Sequence, residues 1–417
     1  MQESNIEWIG GIPQAWTIKR IKRLATIRRG ASPRPIDDAK YFDDNGEFSW
    51  VRIADVSASS RYLEKTTQKL SELGASYSVK QYPNDLIVSI AGTVGKPIIT
   101  KIKCCIHDGF VWFETPEFHK AFLYYIFLSE QPYKGLGKLG TQLNLNTDTI
   151  GKIFIPIPSF SEQQKIAEYL DHHCAKLNKV IALKQQQIKI LDALHQSTIY
   201  QAVTKGLDDS VPLVDSGVEW LGDIPEGWTR TKAKYVSDVF IPQRNKPLIN
   251  DDTGCYWVTM ENMKNPIILK TDKFISSQAQ QKAGSKVLPK LSVIASCVGT
   301  FGIASVNIVD VIINQQLQAY RPVKINPYYL RYLITISKKY FDQVCTQTTI
   351  SYVNGDKFEC LPVLLPSPKE QQAIVTHLDQ ENQRLDMLKE NLNQQITTLQ
   401  AYKKSLIYEM VTGKKRV

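Results

Sequence analysis

Four places in this chain of 417 residues carry residue types able to do chemistry. The densest is KRIKRLATIRRGASPRPIDDAK from Lys19 to Lys40, with eight Lys or Arg against two Asp. Its alternating Ile18, Ile21 and Leu24 turn one face inward and leave a basic face to meet phosphate. SIAGTVGK, ending at Lys96, has the glycines of a phosphate loop but not the G-x-x-x-x-G-K-[ST] spacing, and Pro97 follows the lysine. It reads as a tight turn that exposes Thr93. His107 and Asp108 look like half of a catalytic pair. INPYYL from Ile325 is close to a methyltransferase N-P-P-Y motif but lacks the second proline, so Asn326 reads as a helix N-cap with Pro327 at the first helical position.

None of these completes a reaction centre. No clustered D…E-x-K pattern of a metal-dependent nuclease and no G-x-G-x-x-G strand-turn-helix is present. The seven cysteines, Cys104 and Cys105 included, form no C-x-x-C pair, and His172 and His173 have no third ligand at useful spacing. The chain is therefore expected to hold neither a catalytic site nor a metal, and His107 and Asp108 are read as structural or incidental, since the corresponding later positions are Asn314 and Gln315.

That correspondence is general, because the chain repeats itself at a spacing of about 207 to 212 residues, far longer than a solenoid period. Trp8, Pro13 and Trp16 match Trp220, Pro225 and Trp228. SWVRIADV from Ser49 matches YWVTMENM from Tyr256, and SIAGTVG from Ser89 matches SCVGTFG from Ser296. IPIPSFSEQQKIAEYLD from Ile155 matches VLLPSPKEQQAIVTHLD from Val363, and TIYQAVTKG from Thr198 matches LIYEMVTGK from Leu406.

The elements that position these residues are two heads and two long helices. Each head shows short β-branched and aromatic runs, FSWVRI, DLIVSIA, IHDGFVWF and KIFIPIP in the first, with helical spacing in FHKAFLYYIFLS and NPYYLRYLITIS. After each head comes a stretch of about 40 residues without Gly or Pro, a helix near 60 Å long. Leu170, Cys174, Leu177, Ile181, Ile188, Leu191 and Thr198 recur at a coiled-coil period in the first. Leu378, Leu385, Leu392, Ile396, Leu399 and Leu406 do so in the second. So narrow a stripe needs a partner, and the economical one is the other long helix, packed antiparallel about an approximate twofold axis. The expectation is an α+β protein: two tandem mixed α/β domains separated by two long antiparallel coiled-coil helices, bounded at 1–158, 159–205, 206–366 and 367–417.

With 43% hydrophobic and 10% aromatic residues the chain is expected to fold, and its length allows more than one core. A net charge of +10 and a pI near 9.0 point to a polyanionic partner. MQESNIEW lacks the regions of a signal peptide and no apolar run reaches the roughly 20 residues of a membrane span, so a cytoplasmic protein with no membrane partner is expected.

E-W-[IL]-G-x-[IV]-P-x-x-W at each head's start, and I-P-x-P or L-L-P-x-P followed by E-Q-Q-x-I-x-x-x-L-D at each helix start, resemble the specificity subunit of Type I restriction-modification systems over essentially the whole chain. The resemblance implies that each head is a target-recognition domain and each helix a spacer. It implies a non-catalytic subunit that reads a bipartite, asymmetric double-stranded DNA target and recruits two methyltransferase subunits and, for restriction, two motor-nuclease subunits. The cofactors it implies lie in those partners: S-adenosylmethionine in the methyltransferase, ATP and Mg in the restriction subunit. In the first head the candidate DNA contacts are Arg28, Arg29, Arg34 and Arg52, the turn at Thr93 and Lys96, and the loop Thr141, Gln142 and Asn144. In the second they are Gln243, Arg244, Lys246, Thr259, Glu261, Asn262, Thr300, Thr348 and Tyr352. The rival readings are a self-contained nuclease or methyltransferase, which would need a catalytic constellation, and a coiled-coil scaffold that binds no DNA, which leaves the basic, diverged loops unexplained.

Overall fold

A computed structural model of the chain describes residues 1–133, 136, 145–250, 252–346 and 350–416. It forms two compact units, Met1–Gln185 with Asn393–Val417, and Gln186–Leu392. The long helices run Phe160–Lys205 and Pro368–Val411. The units therefore do not follow the sequence boundaries: each takes one head, the start of the helix that leaves it, and the end of the other helix. Two thin helices bury too little apolar surface to form a core by themselves, so each half-helix shares the core of the head it touches.

In the first unit Leu170 and Cys174 pack with Leu406, Ile407 and Met410 in the head's core. Further along, Asn178 accepts from Lys403 Nζ at 2.8 Å and Lys184 donates to Gln395, so one helix rises as the other falls: the pairing is antiparallel. In the second unit Ile199 and Val203 join Ile374, Val375 and Leu378, Asp192 pairs with Lys389 at 2.9 Å and His195 meets Asn382 at 2.5 Å, again antiparallel. Leu170, Ile181, Leu378, Leu385 and Ile396 are buried, and Leu177, Ile188, Leu191, Leu392 and Leu399 are half-buried. Off the stripe, Leu183 and Ile190 are exposed.

Each head repeats one sheet plan. In the first, a five-stranded sheet orders Thr26–Arg29, Phe110–Glu114, Leu86–Ser89, Pro97–Thr100 and Tyr62–Leu63. In the second the order is Ser237–Phe240, Leu317–Pro322, Val293–Ser296, Ala304–Asn307 and Ile267–Ile268. A smaller sheet in each centres on a parallel pair, Phe48–Val51 with Cys104–Ile106, and Cys255–Val258 with Val311–Ile313. IHDGFVWF, expected as one strand, is two: the chain leaves the smaller sheet after Ile106, turns at His107–Gly109 and enters the larger sheet at Phe110.

The E-Q-Q motif ties head to helix by side-chain chemistry. Trp16 Nε1 donates to Glu162 Oε1 at 3.1 Å, and Trp228 Nε1 to Glu370 Oε1 at 3.1 Å. The buried amide of Gln163 donates to the Pro158 carbonyl at 3.1 Å and accepts from the His119 N–H at 2.9 Å. Gln371 does the same with Pro366 and Asn326, at 2.9 and 2.8 Å. About two turns later Asp171 accepts from Tyr125 Oη at 2.6 Å and Asp379 from Tyr332 Oη at 2.5 Å.

Candidate nucleic-acid interface

The parallel pair of each head ends abruptly, and the residues beyond its last rungs form a rim. Ile106 lies opposite Val51, so Arg52 and His107 leave the sheet side by side; Ile313 lies opposite Val258, so Thr259 and Asn314 do the same. The basic loop of the first head reaches this rim through Gly30: its N–H donates to Phe110 O at 2.9 Å, and a Cβ there would meet the His107 carbonyl at 2.2 Å. Only glycine lets the loop lie so close. The glycine turn closes the rim, with Ile90 donating to Gly109 O at 2.8 Å. Gly95 at φ 85° and Gly302 at φ 80° hold the matched turns in a backbone conformation that side chains disfavour.

Asp108 is the centre of the first rim. Its Oδ2 lies 3.8 Å from Arg29 Nη2 and 3.5 Å from Arg34 Nη2, and Ser32 Oγ lies 3.4 Å from Oδ1. Arg29 Nε also donates to the Asp108 carbonyl. His107 Nδ1 comes within 3.6 Å of the carboxylate, but it accepts the Gly109 N–H at 2.8 Å and so carries no proton there. This contact is not an ion pair. Burial pushes the His107 pKa down, with Arg52 and Arg29 adding to the effect against the pull of Asp108.

The remaining first-head candidates divide. Arg28, exposed on the edge strand, pairs with Glu114 at 2.6 Å rather than with the rim. Arg52 is exposed at the start of the helix Ile53–Ala58 and makes no ion pair among the described residues. Thr93 is exposed, with Oγ1 2.7 Å from Ser57 Oγ. Lys96 is half-buried, its ammonium on the carbonyls of Ser57 at 3.1 Å and Ser59 at 2.8 Å, and burial lowers its pKa. It caps a helix end and offers phosphate little. Thr141, Gln142 and Asn144 lie outside the described residues.

In the second head Gln315 takes the place of Asp108. Its Nε2 donates to the Arg244 carbonyl at 2.9 Å, holding the loop of exposed Arg244 and Lys246. Asn262 turns inward to accept from Thr259 N at 2.9 Å, while Glu261 is exposed. Gly299 of the turn that exposes Thr300 donates to Ser351 O at 2.8 Å, and Tyr352 bridges to Val298, so turn and Tyr352 meet. Gln243 is buried, accepting from Lys286 N at 3.2 Å, and is packed away from solvent. Thr348 lies outside the described residues. Sequence reasoning set Asp108 and Gln315 aside as structural; the signal available was a carboxylate matched by an amide in otherwise alike turns. Among the described residues no group of three or more His, Cys, Asp and Glu could hold a metal ion, and no helix is long and apolar enough to cross a membrane.

The Type I restriction modification DNA specificity domain matches the chain twice, over residues 13–190 and 225–398. Two specificity subunits of Methanocaldococcus jannaschii, of the Type I restriction enzymes MjaIX and MjaVIII, are each 22% identical, spanning 98% and 100% of this chain and 95% and 97% of their own. Among solved structures, one describing complex assembly and conformational transition of the type I R-M system aligns with TM-score 0.76 at 18% identity, over 97% of this chain and 100% of the other. The HsdS subunit of Thermoanaerobacter tengcongensis aligns with TM-score 0.53 at 17% identity, over 97% and 98%. With two copies of the domain covering most of its length, each bearing one rim, this chain belongs to the Type I restriction-modification DNA specificity family.

Proposed function

We propose that this chain is the non-catalytic subunit that gives a Type I restriction-modification complex its DNA sequence preference. Each head reads one half of a bipartite, asymmetric target, and the long helices scaffold two methyltransferase subunits and, for restriction, two motor-nuclease subunits. Adenine methylation then uses S-adenosylmethionine held by the methyltransferase partners, and restriction uses ATP and Mg held by the restriction partners. One observation carries the reading: two heads share a framework down to matched Trp–Glu and Gln–backbone bonds, yet the same rim position holds Asp108 in one and Gln315 in the other. A common frame with different polar groups at its rim suits the reading of two different base sequences, while nearby cations contact the backbone.

Methylation-sensitive sequencing of the native genome, with and without this gene, tests it. A two-part adenine-methylated motif that disappears with the gene is expected. A methylation pattern indifferent to the gene would overturn the proposal, and methylation by the purified chain alone would favour a self-contained enzyme.

A further inference from the structure

Asp108 is a carboxylate, held by two guanidinium groups, on a rim otherwise built to attract phosphate. Its side chain is 44% exposed on the rim of a basic loop, and any phosphate that Arg29 and Arg34 draw in meets its negative charge. Its own contacts fix its direction: Oδ2 faces both guanidinium groups, Oδ1 faces Ser32, and the His107 nitrogen beside it is an acceptor. A carboxylate so held gains from DNA only by accepting a hydrogen bond. The donors that duplex DNA presents in its major groove are the exocyclic amino groups, cytosine N4 and adenine N6. Adenine places the acceptor N7 beside its amino group, which repels a carboxylate, whereas cytosine places a C–H there.

We propose that Asp108 reads a cytosine amino group in the first half-site, with Arg29 and Arg34 orienting it and anchoring the neighbouring backbone. This rests on the function proposed above and names the residue that does the reading in one head. The second head supports the assignment of the position: Gln315 occupies the matched turn, tethered to the Arg244 loop as Asp108 is to Ser32 and Arg34. The position reads, and its side chain sets the base. An amide suits adenine, to which it can pair at both N6 and N7.

The test compares the wild-type chain with Asp108→Ala and Asp108→Gln, each expressed with its methyltransferase partners, by sequencing the methylated motif. The wild-type first half-site is expected to specify at least one G·C pair. Asp108→Ala is expected to relax that position, lowering its discrimination roughly ten-fold or more, and Asp108→Gln to move it toward A·T. The second half-site stays constant and reports an intact complex. Where a variant methylates too little to sequence, competition binding of the complex to duplexes altered one base pair at a time in the first half-site gives the same ratio. An unchanged base preference in both variants, with only the salt dependence altered, would show Asp108 to be a mere counter-ion and overturn the inference while leaving the proposed function standing. A wild-type complex with no two-part motif would sink that function itself.

Discussion

The indole N–H of Trp16 lies 3.1 Å from Glu162 Oε1, across 146 residues of sequence. Its counterpart, Trp228 to Glu370, spans 142 residues at the same distance. Each bond joins the opening motif of a head to the first turn of the helix that leaves it. Two signatures far apart in the sequence thus serve one joint.

The amide next to that glutamate carries a measurable share of stability. Gln163→Ala leaves the Pro158 carbonyl and the His119 N–H without their partner in a buried joint, and Gln371→Ala does the same to Pro366 and Asn326. An unsatisfied buried polar group costs about 1–3 kcal/mol, so each variant is expected to unfold at lower urea concentration. Midpoints equal to that of the wild type would show that the amides are replaceable by water.

Acid should weaken the first head through His107. Burial holds its pKa below the ordinary value near 6.5, so in the window beneath 6.5 the unfolded chain binds a proton that the folded chain refuses. Stability is full above that window and falls as pH drops through it. His107→Asn, the residue type of the second head, is expected to flatten the fall in melting temperature between pH 7.5 and 5.5. An identical slope would place the acid sensitivity elsewhere, His119 being the other imidazole that burial pushes down.

Positioning by phosphate contact has its own signature. If Arg29 and Arg34 hold backbone phosphates, removing either lowers the slope of log affinity against log salt by about 0.9 on specific and unrelated sequences alike, with any loss of discrimination confined to the position that Asp108 reads. Lys96→Ala, whose ammonium already caps a helix end, is expected to leave that slope unchanged. Binding of the assembled complex to specific and unrelated duplexes over a salt series separates the two, and a slope change at Lys96 equal to that at Arg29 would refute the division.

The long helices are expected to set the gap between half-sites. Four helix-forming residues inserted at exposed Gln186 add about 6 Å and a turn of about 40° beyond a full circle, while one base pair adds about 3.4 Å and roughly 34°. The rotation matches one base pair, and slippage at the resulting stutter absorbs the extra length. The sequenced motif is expected to keep both half-sites and widen its gap by one base pair; an active complex with the old gap would show that the helices do not measure it.

Much of this was legible in the sequence, and the remainder was hidden for physical reasons. Whole-domain repetition and a 3.5-residue stripe are long signals, so the two heads and the side of each helix that Leu170, Ile181, Leu378 and Ile396 bury could be read directly. That the C-terminal TGKKRV lies near the first head followed from the repeat as well, but where along each helix one compact unit gives way to the next did not, because that depends on how far each head's core reaches in space. At the rim, residue type revealed charge but not commitment: Lys96 and Gln243 looked like contacts until the carbonyls of Ser57 and Ser59 and the N–H of Lys286 claimed them. Asp108 was set aside because its counterpart is Gln315, and nothing local reveals its partners, Arg29 and Arg34, more than 70 residues away in sequence.

The central claim is that each head reads its own half-site, and exchanging heads tests it most directly. A chain in which residues 206–366 are replaced by a second copy of 1–158 keeps both helices, whose ends, residues 198–205 and 406–411, carry the matched segments against which the heads pack. Expressed with the methyltransferase partners, it is expected to methylate a motif with the first half-site in both places and the second half-site gone. A motif that still contains the second half-site would contradict the account.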